Sequence, residues 1–217
     1  IFPDGSYAMY SLNYHRFILH IYLYAIQLGE LNHDNPSLRA AFSAAKQSPT
    51  QSARLLRAEE HRPRNDGIGF SDSLKTSVSN SINYLSHLID PTTGQMPVYG
   101  SNDGALVLPL NNCDFTDYRP LLQLGSVITT GERMFEAGEW DEDVFWLCGD
   151  KIAKKEERGK KLVDVSFPEG GVHILRGENS KAIIRCTHFT SRPSHADQLH
   201  MDLWIHGHNI ACDAGTY

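Results

Sequence analysis

The stretch "KIAKKEERGKKLVDVSFPEGGVHILRG" (residues 151–177) marks a change of fold class within this chain of 217 residues. Before it, apolar side chains recur at steps of three and four residues, which is typical of helices; after it they alternate, as in strands. The charged run 151–161 is predicted to be a linker or an exposed face. We therefore predict an α portion over residues 1–155 and a β portion over residues 156–217.

Two long helices are predicted in the α portion. The first runs through "GSYAMYSLNYHRFILHIYLYAIQLGELN" (5–32), capped by Asp4 or Ser6, and the second through "SDSLKTSVSNSINYLSHLI" (71–89). One apolar stripe is predicted on the first helix, formed by Tyr10, Tyr14, Phe17, Ile21, Tyr24 and Leu28. The second has its own stripe of Leu74, Val78, Ile82, Leu85 and Ile89. Short helices follow near 119–129 and 141–149.

Two irregular segments separate these helices. The polar, arginine-containing stretch 43–70 is predicted to be an insertion or mobile segment, with room for one short helix. The stretch 90–120 is rich in Gly, Pro, Asn and Asp, which indicates a long loop. Because this loop also holds apolar anchors such as Met96 and Val98, we expect it to be ordered.

The β portion is predicted to consist of short strands separated by glycine-rich turns. In "LHMDLWI" (199–205), one face carries Leu199, Met201, Leu203 and Ile205, which we expect in the core. A tight turn at Gly207 pairs this strand with "NIACDAG" (209–215) and places Asp213 opposite about position 201. Roughly 60 residues of strands leave an open edge and half a core, so we expect the chain to be an excerpt of a longer protein.

The composition argues against two classes of partner. The formal net charge is -6, and no basic block or basic–aromatic interleaving is present, so a nucleic acid is not expected. No apolar run approaches the ~18–20 residues that a membrane-spanning helix needs.

Three stretches together resemble one known family. "DGSYAMYSLNYHRF" (4–17), "MPVYGSNDGALVLPL" (96–110) and "RPSHADQLHMDLWIHGHNIACDAGTY" (192–217) are similar to the heparinase II/III-like polysaccharide lyases, a family that includes alginate lyases. The resemblance implies an incomplete α/α toroid followed by a mostly antiparallel β-sandwich, with the active site in the cleft between them. The chain would then hold the later toroid helices and the first sandwich strands.

The chemistry implied by the resemblance is β-elimination at a uronic acid. The uronate carboxylate is neutralised, a base removes the proton at C5, and an acid protonates the departing O4. The expected partner is therefore an anionic polysaccharide or oligosaccharide, and the expected location is periplasmic or secreted. The resemblance places the residue that neutralises the carboxylate upstream of Ile1.

Tyr14 in "LNYHRF" matches the catalytic tyrosine of the family. A tyrosine near a cation or metal ionises and acts as a base, and a neutral tyrosine acts as an acid. The alternative is core packing, since Tyr14 also fits the predicted apolar stripe. His15 lies about 100° further around the helix and is expected to be structural.

His195 and Asp213 match two ligands of a metal site found in several family members, and their side chains suit zinc. A third histidine ligand would lie past Tyr217. Relatives with this site often carry a histidine where this chain has Pro193, so the alternatives are that His195 contacts the substrate directly or is structural.

Three further residues are candidates for contact with the substrate. Tyr99 and Asn102 are expected to line the cleft, or else to fix the turn in which they lie. Arg192 is expected to bind a carboxylate through two hydrogen bonds, or else to lie on the surface.

Three functions remain open at this point. The first is a lyase acting on a uronate polysaccharide, whose sugar and whose exo or endo action the sequence leaves open. The second is a glycan-binding relative without turnover. The third is a metal-dependent hydrolase built on His195 and Asp213.

Overall fold

The computed structural model describes residues 1–31, 72–149, 163–189 and 195–213. The predicted insertion at 43–70 lies outside the described residues, as do the charged run 151–161 and the proposed domain boundary near 155. The described helices are α1 (Leu12–Leu31), α2 (Asp72–Leu88), α3 (Arg119–Thr130), a 3-10 turn (Glu139–Asp141) and α4 (Glu142–Cys148). The strands are β1 (Val165–Phe167), β2 (Val172–Arg176), β3 (Ser180–Arg185), β4 (Met201–Ile205) and β5 (His208–Ala211). The predicted order of helices first and strands second is confirmed.

Helix α1 begins later than predicted and buries a different face. The hydroxyl of Ser11, rather than Asp4 or Ser6, accepts a hydrogen bond from a first-turn amide, that of Tyr14, at 3.2 Å. The buried residues of the helix are Leu12, Asn13, His15, Arg16, Leu19, His20, Leu23 and Ile26. The predicted stripe is therefore wrong, because it omitted the buried polar residues of this face. Tyr14 and Phe17 are only partly buried, and Leu28 is 53% exposed.

Helix α2 buries the face that the sequence predicted. Val78, Ile82 and Leu85 are at most 3% exposed, and Ile89 just beyond the helix is 5% exposed. Helix α3 approaches α2 closely at Gly125, where an added Cβ would lie 2.2 Å from the Cδ1 atom of Ile82. The loop between α2 and α3 is ordered, as predicted, and contributes the buried side chains of Met96 and Tyr99.

The five strands form one antiparallel sheet in the order β1-β2-β3-β4-β5, so each strand pairs with the next along the chain. His206 and Gly207 join β4 to β5 with φ angles of 50° and 77°, the conformation that a two-residue hairpin turn requires. The register pairs Leu203 with Ala211. Strand β5 ends at Ala211, so the position of Asp213 opposite about residue 201 stays a prediction.

The sheet buries the opposite face of β4 from the one that the sequence predicted. Asp202 is 0% exposed and Trp204 is 3% exposed, whereas Met201 and Ile205 are 48% and 37% exposed. Leu199, before the strand, is 75% exposed, and Leu203 is only partly buried. The alternation is confirmed, but the polar face is the buried one because its charged groups have partners: Asp202 accepts hydrogen bonds from His200 and Asn209 at 2.7 and 2.6 Å.

Two basic side chains of the sheet attach it to the end of α2. Lys181 donates to the carbonyl oxygens of Leu88 at 2.5 Å and Ile89 at 3.2 Å. Arg176 donates to the carbonyl oxygen of His87 at 2.6 Å. The last carbonyl groups of a helix have no intrahelical partner, so these contacts satisfy the helix end and hold the sheet against it. Burial lowers the pKa of Lys181 to about 8.

Candidate active site

Tyr14 lies in the first turn of α1, on a partly exposed side of the helix. Its hydroxyl donates a hydrogen bond of 2.6 Å to the Oδ2 atom of Asp103, in the loop between α2 and α3. The ring also contacts Phe17, with 6.4 Å between the ring centroids. The structure thus places the Tyr14 hydroxyl outside the core, and its catalytic role stays a prediction.

The segment that carries Asp103 packs directly against the start of α1. The Ser11 hydroxyl donates to the carbonyl oxygen of Ser101 at 2.6 Å. Gly100 has a φ of 72°, and an added Cβ there would lie 2.2 Å from the carbonyl oxygen of Tyr10. Only a residue without a side chain fits this close backbone approach. We call residues 97–105 the site loop.

Both oxygens of the Asp103 carboxylate have partners. Oδ2 accepts the Tyr14 hydroxyl, and Oδ1 accepts the backbone N–H of Ala105 at 3.1 Å and the side-chain amide of Asn13 at 3.4 Å. The hydrogen bond from Tyr14 lowers the pKa of Asp103. The same hydrogen bond, together with the negative charge of the carboxylate, raises the pKa of Tyr14. Tyr14 is therefore a neutral phenol in this arrangement, the form that acts as a proton donor.

A buried ion pair connects the site loop to the turn that contains His195. Arg185 of β3, whose side chain is 1% exposed, donates to the Oδ2 atom of Asp197 at 2.8 Å. The same oxygen accepts the backbone N–H of Gly100 at 2.9 Å. The guanidinium lies 4.8 Å from the centroid of the Tyr99 ring, which adds a cation–π contact. Asp197 is two residues from His195, so the bond from Gly100 to Asp197 brings the His195 turn to the site loop, while Arg185 holds the same carboxylate from β3.

Hydrogen bonds to β3 and to the residues after it hold the same turn from its other side. The Gln198 side chain accepts the backbone N–H of Thr187 at 3.0 Å and donates to the carbonyl oxygen of Thr187 at 2.5 Å. The backbone N–H of Leu199 donates to the carbonyl oxygen of Arg185 at 2.8 Å. These contacts fix the position of the turn. The direction of the His195 imidazole toward Tyr14 stays a prediction.

His195 and Asp213 are both partly buried. Within residues 1–31, 72–149, 163–189 and 195–213, no group of three or more His, Cys, Asp or Glu side chains is placed to hold a metal ion. The nearby His200 binds the Asp202 carboxylate at 2.7 Å through its Nε2 atom. The described residues therefore do not complete a zinc site, and zinc binding by His195 and Asp213 stays a prediction.

The other predicted contact residues lie in different surroundings. Tyr99 is 8% exposed, and its hydroxyl lies 2.6 Å from that of Tyr84. Burial raises the pKa of Tyr99 to about 12. Asn102 is exposed, and its side-chain oxygen accepts the backbone N–H of Gly104 at 3.2 Å. Both residues thus make contacts that support the shape of the site loop, and their contact with a substrate stays a prediction. Arg192 lies outside the described residues.

Sequence reasoning missed Asp103, Arg185 and Asp197. Asp103 had a local signal, because "NDG" (102–104) is a turn sequence in which an aspartate bonds the backbone two residues further on. Arg185 had none: it lies in an alternating strand as an ordinary charged residue, and only its burial reveals its role.

Comparison with known proteins bears on the C-terminal part of the chain. Residues 160–217 match the family model described as "Heparinase II/III-like, C-terminal". The match supports the resemblance to the heparinase II/III-like family, and it includes the third of the three motifs, residues 192–217. No curated protein matches the chain. Among the described residues, no helix is both long and apolar enough to cross a membrane.

Proposed function

We propose that this chain is part of a polysaccharide lyase that cleaves a uronate-containing glycan by β-elimination, with Tyr14 as the proton donor. The observation that carries this proposal is the partly exposed Tyr14 hydroxyl, held at 2.6 Å from Asp103 on a loop that also binds the His195 turn. The family of the C-terminal part supports the same reaction class.

The reaction requires one proton to leave and another to arrive. A base takes the proton from C5, the electrons of that C–H bond form the C4–C5 double bond, and the C4–O4 bond breaks. The departing O4 then needs a proton. A phenol next to a carboxylate suits this last step better than the first, because it still holds its proton when the reaction begins, whereas a tyrosine base must already be ionised.

His195 is our proposed base at C5. A neutral imidazole accepts a proton near neutral pH, and the His195 turn is attached to the site loop through Asp197. In the alternative arrangement, His195 and Asp213 hold zinc, which would supply a positive charge for the uronate carboxylate. No step of the proposed reaction depends on the metal.

The proposed setting is a cleft between an α/α toroid and a β-sandwich. One feature of the sheet supports the sandwich: the face turned away from the helices exposes a row of apolar side chains, Leu175, Met201, Ile205 and Ile210. Apolar patches of this kind on a sheet are normally covered by a second layer. We also propose a periplasmic or secreted location, where extracellular glycans are available.

The product distinguishes the possible functions. A lyase product carries a conjugated double bond and absorbs ultraviolet light, a hydrolase product does not, and a glycan-binding protein yields no product. We expect ultraviolet-absorbing products when the purified protein is incubated with one of heparan, alginate, hyaluronan and bacterial capsule glycans. Reducing ends without ultraviolet absorbance would instead indicate a hydrolase. Binding without any product would refute an enzymatic role.

A further inference from the structure

We propose that Asp103 is a positioning residue for Tyr14, which fixes the direction of the phenol hydroxyl and keeps it protonated. This inference rests on the proposed function, since it assigns Tyr14 the role of acid. Asp103 itself does not contact the substrate in this proposal; it acts through its hydrogen bond with Tyr14.

The geometry gives the carboxylate little freedom. Rotation about its Cβ–Cγ bond would break the bond to the Tyr14 hydroxyl and also those that Oδ1 accepts from Ala105 and Asn13. The site loop is itself held by the Ser11 hydroxyl on Ser101 and by Asp197 on Gly100. The phenol therefore meets a fixed acceptor on a fixed loop, which is the condition for a preorganised catalytic group.

The charge of Asp103 determines which role the phenol can take. A carboxylate within hydrogen-bonding distance opposes the negative charge of a tyrosinate, so Tyr14 stays a donor to higher pH than a solvated tyrosine. In the reaction, the O–H bond of Tyr14 breaks as a new O–H bond forms on the departing O4. The tyrosinate then regains a proton from water, assisted by the repulsion from Asp103.

Three variants separate the charge of Asp103 from its geometry. Asp103→Asn removes the charge but keeps an acceptor oxygen and a residue type that favours the same turn. Asp103→Ala removes both. Asp114→Asn is the matched control. Like Asp103, Asp114 is exposed and accepts hydrogen bonds from one hydroxyl and one backbone N–H, both of which belong to Thr116.

The first measurement needs no turnover. The ionisation of Tyr14 is obtained from the ultraviolet absorbance of tyrosinate during a pH titration, as the difference between each protein and its Tyr14→Phe counterpart. We expect Tyr14 to ionise at lower pH in Asp103→Asn than in the wild type, and at an unchanged pH in Asp114→Asn. Identical titrations in the wild type and Asp103→Asn would overturn the inference.

The second measurement is the pH profile of turnover on a cleaved glycan. Asp103→Asn should move the alkaline limb of the profile down in pH by the same amount as the titration, with little change in KM. Asp103→Ala should lower kcat by up to ~10²-fold, the cost of a misplaced reacting group. A shifted titration without any lyase activity would refute the proposed function but leave the Tyr14–Asp103 coupling established. If the pH profile of turnover shifts in Asp103→Asn while the ionisation of Tyr14 does not, the coupling between Tyr14 and Asp103 is refuted instead.

Discussion

The two sides of the candidate site are held in different ways. On the Tyr14 side, polar side chains hold short turns. The Ser11 hydroxyl accepts the backbone N–H of Tyr14, and the Asp103 carboxylate accepts that of Ala105. On the His195 side, a buried cation holds the chain: Arg185 is fully enclosed and pairs with Asp197. The site loop joins the two sides through the backbone N–H of Gly100.

This difference separates reactivity from placement. The exposed Tyr14–Asp103 pair is accessible to a substrate, and its electrostatic coupling is open to screening by salt. Arg185 and Asp197 have side chains that are only 1% and 13% exposed, so we expect this pair to contribute position rather than chemistry. We therefore expect variants on the Tyr14 side to affect rate, and variants of the buried pair to affect stability first.

The largest expected effect is that of Tyr14→Phe. Loss of a general acid typically lowers the rate by ~10²–10⁴-fold, and the change deletes one hydroxyl while keeping the ring. The midpoint of urea unfolding should stay close to that of the wild type because Tyr14 is only partly buried. Turnover is measured by the ultraviolet absorbance of the unsaturated product.

Tyr24→Phe is the matched control for this prediction. Tyr24 lies on the same helix, and its hydroxyl donates to the carbonyl oxygen of Leu108 at 2.9 Å, so the substitution also removes one hydroxyl hydrogen bond. Turnover of Tyr24→Phe should remain close to wild type. Near-normal turnover in Tyr14→Phe would remove Tyr14 from the mechanism.

The next effect concerns His195→Ala, which tests whether the second side of the site also carries chemistry. We expect turnover to fall by ~10²-fold, because either a base or a metal ligand is lost. Elemental analysis then separates the two roles. If the wild type holds one zinc ion per chain and the variant holds none, His195 is a metal ligand. If neither protein holds zinc, His195 contacts the substrate directly. Exposed His208→Ala is the control. Wild-type turnover in His195→Ala would leave this side with a structural role alone.

Arg185→Met tests the buried link between the two sides. Methionine replaces the unbranched stem of the side chain but leaves Asp197 without its cation, and a hydrogen bond to a charged group contributes about 1.5–3 kcal/mol. We expect the free energy of unfolding in urea to fall by that amount. Turnover should fall less than in Tyr14→Phe, because Gly100 still binds Asp197.

Lys75→Met provides the comparison for Arg185→Met. Lys75 pairs with Glu30 on the surface, where the two side chains are 42% and 47% exposed, and such pairs contribute about 0–1 kcal/mol. Equal losses in the two variants would show that burial of the Arg185–Asp197 pair has no special importance.

The same contrast explains which parts of the fold the sequence could predict. The order of elements, the second helix and the hairpin at Gly207 depend on local periodicity and turn residues, and these predictions are confirmed. The buried faces of α1 and β4 were predicted wrongly. Both contain polar residues, Arg16 and His15 on the helix and Asp202 on the strand, that are buried with partners distant in sequence or on a neighbouring strand.

For the candidate site, sequence resemblance proposed Tyr14 and His195 but not the residues that hold them. Asp103 and Asp197 act through contacts with residues 89 and 12 positions away in the chain. A single sequence does not encode these pairings in any local pattern. The ring of Tyr99 lies against Arg185 and its hydroxyl lies beside that of Tyr84, two further long-range contacts that no local pattern predicts.

The smallest expected effect on turnover and stability at neutral pH is that of replacing His15, a buried histidine of α1. His15 is 1% exposed, and its Nε2 atom lies 3.0 Å from the Ser81 hydroxyl. That hydroxyl donates to the carbonyl oxygen of Gly5, so it accepts a hydrogen bond from a neutral imidazole protonated at Nε2. Burial lowers the pKa of His15 to about 3.

The sign of the resulting pH dependence follows from proton uptake. Below pH ~6.5 the unfolded chain protonates His15 while the folded chain does not, so stability decreases as the pH falls from ~6.5 toward the pKa of about 3 in the folded protein, by up to ~1.4 kcal/mol per pH unit.

His15→Gln keeps an N–H donor for Ser81 and cannot be protonated. We expect the free energy of unfolding in urea to decrease less from pH 7 to pH 5 in His15→Gln than in the wild type. Turnover at pH 7 should be unchanged because the imidazole faces the core. Exposed His188→Gln should retain the wild-type loss. A wild-type loss in His15→Gln would mean that the His15 environment opens before the protein unfolds, and α1 would then not be the rigid support that the position of Tyr14 requires.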